Sequence, residues 1–157
     1  TDFIHSCGKY AMDDMGYYDE CGITSMWATR QKAKGFHHMH RHANSFLGGS
    51  FHLFDADGNA SGTVFPNLGA EKYVIQPAIS DKNNLMLKSQ EELPFVAGTL
   101  VMFPAWATHQ TSPTDCNYRI IVGVNIMPIG KTNFDHFDRY DFPHIGNMQL
   151  MEYDDDE

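Results

Sequence analysis

Apolar residues recur at every second position along several short stretches of the chain, and turn-forming clusters separate these stretches. Residues 23–29 alternate in this way and carry Trp27; a polar connection over 30–35 leads to a second candidate strand at 36–41 and a third at 45–54. The sequence Asp55-Ala56-Asp57-Gly58-Asn59 then has strong turn chemistry, because Asp and Asn tolerate left-handed backbone and Gly adopts it without strain. Further strands are expected at 62–66, 71–77, 85–88, 99–103, 106–111 and 118–127, with a turn at Asp81-Lys82-Asn83-Asn84. Residues 1–22 have no clear period and read as loop with at most one short helix. Strands at this spacing, with no convincing amphipathic helix, argue an all-β sandwich or barrel. After Pro128 the apolar density falls, and residues 133–143 are aromatic and acidic without a period, a stretch suited to packing across the domain or to a contact arm. No repeat or linker divides the chain. The expectation is one domain over 1–157, with 146–157 an acidic flexible tail.

Composition narrows the class. A chain of 157 residues with 42% hydrophobic and 13% aromatic content is long enough and apolar enough for a real core. The formal charge of −9 argues against nucleic acid and anionic membrane as default partners, although Glu152, Asp154, Asp155, Asp156 and Glu157 concentrate part of it at the end. Three cysteines, Cys7, Cys21 and Cys116, lack the spacing of a zinc site and make a poor disulfide framework, so ordinary thiols in a reducing compartment are expected. No apolar run is long enough to span a membrane, and residues 1–5 lack the features of a signal peptide. These points lead to a cytoplasmic enzyme or binding domain, with exposed strand edges making a homodimer plausible.

The chemistry is concentrated in histidines. Five of the nine lie between Gly35 and Phe54, and four of them, His37, His38, His40 and His42, fall within six residues. In extended chain, residues two apart share a face at about 6.5–7 Å, so His38, His40 and His42 point one way and His37 and Arg41 the other. Two such imidazoles can grip one ion, and a further ligand has to come from elsewhere. His109 ends the apolar stretch Leu100-Val101-Met102-Phe103-Pro104-Ala105-Trp106, and Arg119 opens the most strand-like run, Arg119-Ile120-Ile121-Val122-Gly123-Val124-Asn125. Along that run Arg119, Ile121, Gly123 and Asn125 share a face.

The ordered series His40-Arg41-His42-Ala43-Asn44-Ser45-Phe46-Leu47-Gly48-Gly49, then Phe103-Pro104-Ala105-Trp106 with His109, then Arg119 through Asn125, resembles the small 2-oxoglutarate/Fe(II)-dependent oxygenases. That family has a His-x-His-Pro-x-Ser-x-Leu-Ser-Gly segment, a Phe-Pro-Ser-Trp segment followed by His, and an Arg-x-Ser-x-Ser-x-Asn strand. The resemblance implies a double-stranded β-helix, the jelly-roll or cupin-like form of the all-β class. It implies Fe(II) held by His40, His42 and His109, with 2-oxoglutarate as co-substrate gripped by Arg119 and its pocket lined by Asn125. It also implies a dioxygenase that uses O2 to hydroxylate or otherwise oxidise a C–H bond of a protein side chain or small metabolite, releasing succinate and CO2.

The usual order in such enzymes is His-x-Asp/Glu, and here His42 stands where the carboxylate would. An all-imidazole shell serves iron, zinc, copper and nickel alike. A carboxylate ligand from Asp55 or Asp57, or His38 in place of one of the short pair, is an alternative set. Two alternative functions accompany the oxygenase: a three-histidine cupin-like dioxygenase that needs no keto acid, and a non-enzymatic jelly-roll module holding a structural ion. His37 and His38 are expected to orient ligands or face solvent, and His52 to sit in the core or pocket wall. Trp27, Trp106, Phe51 and Phe103 are expected in the core. Asn44 and Ser45 either touch substrate or cap a turn, and the Lys and Glu positions between 82 and 92 form a solvated face.

Overall fold

The computed structural model describes residues 2–17, 20–66, 89–132 and 140–142. The strands expected at 71–77 and 85–88, the turn between them and the acidic tail lie outside the described residues.

The chain runs α1 (Asp2–Asp14), β1 (Glu20–Lys32), β2 (Leu47–Asp55), β3 (Thr63–Pro66), β4 (Gln90–Leu93), β5 (Leu100–Pro104), β6 (Gln110–Thr111), β7 (Tyr118–Thr132) and β8 (Tyr140–Phe142). All strand pairs are antiparallel. The larger sheet has the order β1-β7-β2-β5, with β8 also on β7, and a smaller sheet has the order β4-β3-β6. The fold is the expected all-β jelly roll; the described residues form antiparallel sheets with a helix, α1, outside them.

Strand β7 organises the larger sheet because it is paired on both edges, to β1 from Tyr118 to Ile129 and to β2 from Arg119 to Ile126. Its alternation assigns the two faces. Val124 and Ile126 are buried on the outer face with Leu47 and Cys21, beneath Ile4 and Met12 of α1. Each fully buried aliphatic side chain in that layer stabilises the fold by about 1.5–3 kcal/mol. The inner face of β7, with Ile121 and Gly123, looks towards the smaller sheet and lines a cavity.

The helix is where the sequence reading fell short. Ile4, Gly8 and Met12, four apart, form its buried stripe. The middle position of that stripe is a glycine, which hides the period. A Cβ there would lie 2.9 Å from Ile126 Cδ1, so the missing side chain lets the helix backbone approach the sheet.

A second correction concerns residues 36–41, which do not form a regular strand. They touch the segment leading into β6 at isolated points: Thr111 N–H to His37 O, a reciprocal pair between His40 and His109, and His42 N–H to Ala105 O. The partner segment turns where Ala107 N–H bonds Pro104 O, so it offers no continuous ladder. That turn also explains Trp106, which is 75% exposed rather than in the core. Phe103 is buried, whereas Trp27 and Phe51 are half-buried.

Candidate metal centre

Two imidazoles are brought together by backbone. His40 N–H bonds His109 O at 2.9 Å and His109 N–H bonds His40 O at 3.0 Å, an isolated antiparallel bridge that sets the two rings 4.2 Å apart between centroids. His42, two residues on, falls on the same face with its ring centroid 5.6 Å from that of His40 and 5.1 Å from that of His109. One nitrogen from each of His40, His42 and His109 lies within 4.8 Å of the others. Exposure decreases from His40 through His42 to His109.

Hydrogen bonding decides which nitrogens these are. His40 Nδ1 lies 2.7 Å from His38 O, His109 Nδ1 lies 3.0 Å from Ala107 O, and His42 Nδ1 lies 2.5 Å from Asn125 Oδ1. A carbonyl oxygen can only accept, so each Nδ1 carries the proton and each Nε2 keeps a free lone pair. Burial pushes the pKa of His109 down to about 4 and lowers that of His42, which keeps both neutral, the form a metal requires. The donor set therefore fits a borderline or first-row divalent cation. Asp55 and Asp57 do not join it: they group with Cys116, and Asp55 accepts N–H bonds from Asp57 and Ala60 within its own turn. The ring of His38 packs on Phe36 at 4.7 Å.

The imidazoles border a cavity of about 310 Å³ whose other walls include Trp27, Ser50, Thr63, Thr111, Ile121 and Gly123. Trp27 reaches the cavity by lying across Gly123, where a Cβ would come within 2.4 Å of its indole.

Behind Thr111 lies Arg119, which is fully buried. Its Nε donates to Gln31 Oε1 at 2.7 Å, one terminal nitrogen to Ser61 O and to Ser61 Oγ at 2.6 Å, and the other to Thr111 Oγ1 at 2.8 Å. All of these acceptors are neutral. Among the described residues the ion pairs are Lys9–Glu20 and Lys34–Asp115, both at the surface, so the buried guanidinium has no contacting carboxylate. Burial lowers its pKa, while Cys116 and Asp55 oppose the shift. Among the described residues every group that touches this cation is neutral, an arrangement that is costly and favours the close approach of an anion.

Residues 25–125 match the family described as "Putative 2OG-Fe(II) oxygenase". The chain belongs to this family. Fe(II) and 2-oxoglutarate are the cofactors this 2OG-Fe(II) oxygenase family implies, and the three imidazoles are able to hold the ion. Among solved structures, an oxidoreductase of the 2OG-Fe(II) oxygenase family from Burkholderia pseudomallei shares the fold with a TM-score of 0.55 at 15% identity, over 75% of this chain and 50% of that one. A non-heme monooxygenase, ThoJ in complex with Ni, aligns with a TM-score of 0.42 at 10% identity, over 86% of this chain and 57% of that one. This chain thus spans about half the length of these solved proteins. No curated protein matches it in sequence.

The structure brings together His40, His42 and His109 and places Arg119 behind Thr111, bonded to that wall of the cavity without lining it. Asn125, expected to line the co-substrate pocket with Arg119, instead spends its amide on His42 and on Ser25 Oγ, 2.9 Å away. His52 is buried as expected, with its ring stacked 4.3 Å from Phe95 and Nε2 3.4 Å from Thr63 Oγ1. Asn44 and Ser45 serve the turn, Asn44 with φ 56 and Ser45 Oγ bonding Leu47 O at 2.5 Å. Sequence reasoning missed Gln31, Ser61, Thr63 and Thr111. Only Thr111 left a signal, two residues beyond His109 and therefore on its face.

Proposed function

We propose that this domain is an Fe(II)- and 2-oxoglutarate-dependent dioxygenase in which His40, His42 and His109 hold the ion and Arg119 anchors the keto acid. The observation that carries the reading is the juxtaposition of three free Nε2 lone pairs on a cavity and, directly behind its Thr111 wall, a buried guanidinium whose hydrogen-bond partners among the described residues are all neutral. When bound, the ion and the keto acid supply oxidation of a substrate C–H bond, with 2-oxoglutarate converted to succinate and CO2 and one O2 consumed.

The chain's own residues do the rest. The three Nδ1–H groups stay on their carbonyl acceptors and so keep the Nε2 atoms turned to the cavity. Three histidines occupy one face of the site and leave the opposite face open to co-substrate and oxygen. Arg119 offers its planar fork to the distal carboxylate, for which a guanidinium is the best-matched side chain. Thr63 and Thr111, opposite each other across β3 and β6, supply hydroxyls on the way. Ile121 and Trp27 exclude water from the remaining walls.

The test is anaerobic addition of 2-oxoglutarate to Fe(II)-loaded protein, followed in the visible range. A metal-to-ligand charge-transfer band should develop in the wild type, and Arg119→Ala should need a much higher 2-oxoglutarate concentration while retaining iron. No band in the wild type would favour a three-histidine dioxygenase that dispenses with the keto acid. No oxygen-dependent turnover with any co-substrate would favour a structural ion.

A further inference from the structure

The three candidate ligands are not held alike. His40 and His109 each donate Nδ1–H to the main-chain carbonyl two residues before them, His38 O and Ala107 O. The equivalent carbonyl for His42 is His40 O, and it is already taken by His109 N–H at 3.0 Å in the bridge that joins the other two ligands. The carbonyl that would orient the third imidazole is turned into that bridge, and the Nδ1–H of His42 bonds a side chain instead.

We infer that Asn125 is the positioning residue that replaces that carbonyl, holding His42 by a side-chain acceptor from β7 so that its Nε2 faces the ion. The inference rests on the ligand set proposed above.

Five local features converge on this role. Asn125 Oδ1 lies 2.5 Å from His42 Nδ1. The amide is itself fixed, since Nδ2 donates to Ser25 Oγ at 2.9 Å on the neighbouring strand β1. Ser25 stands opposite Asn125 because the β1–β7 register slips between Ile23 and Ser25, a bulge that takes Thr24 out of the pairing. Bulges of this kind commonly re-aim a side chain beside a functional site. On the other edge of β7 the residue opposite Asn125 is Gly48, where a Cβ would fall 2.8 Å from His42 Nδ1 and 3.0 Å from its Cγ, so the imidazole occupies the space a side chain would need. Phe103 closes the slot edge-on, 5.3 Å away at 89°. The ring is therefore wedged, with the Asn125 carbonyl as its side-chain hydrogen-bond partner beside a backbone contact at Val124.

Two measurements separate this inference from the ligand set. In metal-free protein, long-range 1H–15N correlation spectra should show the His42 proton on Nδ1 in the wild type and in Asn125→Asp, which keeps an acceptor, and a loss of that preference in Asn125→Ala. In Co(II) titrations, Asn125→Ala should bind about 10- to 100-fold more weakly than wild type. Asn125→Asp should recover most of the loss, and Ser25→Ala should show a smaller one. A His42 carrying its proton on Nε2 in the wild type, or Co(II) binding by Asn125→Ala at wild-type affinity, would overturn the role of Asn125 while leaving the three ligands in place. If Asn125→Ala does not fold, the wild-type tautomer and the Asn125→Asp titration still decide. A wild-type chain that takes up no Co(II) overturns the ligand set, and with it the purpose assigned here to Asn125.

Discussion

At the imidazole end of the cavity, donors are placed by irregular backbone and two of them are oriented by carbonyls of their own segments; at the guanidinium end, one side chain from β7 is held by Gln31 from β1, Ser61 before β3 and Thr111 from β6. The first arrangement borrows little from the rest of the molecule. The second ties three strands and a loop to one buried cation. Changes at the imidazole end should therefore remove chemistry and spare the fold, whereas changes around the guanidinium end should be felt in stability as well.

The largest effect expected is from His109→Ala, which should cost more than about 100-fold in metal affinity, beyond what loss of an outer partner causes. Far-UV circular dichroism of the metal-free variant should stay as in wild type; global unfolding would break the contrast between the two ends. Next is a pH effect at the guanidinium end. Burial, with Arg119 nearby, pushes buried His52 down to about 4 from the ordinary 6.5, so the folded protein prefers it neutral. Its stabilising contribution is complete above the unfolded pKa and is lost as pH falls from 6.5 towards 4, by roughly 3 kcal/mol. His109 acts with the same sign in metal-free protein, so His52→Gln should reduce, not abolish, the acid limb of a denaturant-stability profile. An unchanged slope between pH 6.5 and 4 would count against that environment for His52.

Smaller is Gly123→Ala, midway between the ends. The added methyl collides with the Trp27 indole and should cost about 1–3 kcal/mol, with a change in tryptophan emission. Smallest is Lys34→Ala, which removes an ion pair exposed on both sides. Chemical denaturation should detect less than about 0.5 kcal/mol.

The three histidines that cluster, and Arg119 as a strand-opening residue, stood out in the sequence because their order along the chain and their period-two spacing survive folding. The acceptors of Arg119 were not. Gln31 sits in what reads as a polar connector, and nothing local distinguishes it from a solvated residue, yet β1 extends through it and buries it at 4% exposure. Asn125 was placed on the correct face and given the wrong neighbour, since the bulge at Thr24 and the bare surface of Gly48 are consequences of pairing between distant segments. Trp106 reads as core because it follows four apolar residues, but the Pro104–Ala107 turn puts it outside. Local pattern reports face and period; it does not report what comes to lie opposite.

The rung between His40 and His109 has a consequence for selectivity under the proposed ligand set. Because reciprocal main-chain bonds fix how far apart those two residues stand, the gap between their donors works as a ruler whose length does not change when the ion leaves. A cation of another radius would meet a third imidazole that is itself wedged against Gly48 and Phe103 and tied to Asn125, so discrimination among metals of similar ligand preference would come from the stiffness of the whole set.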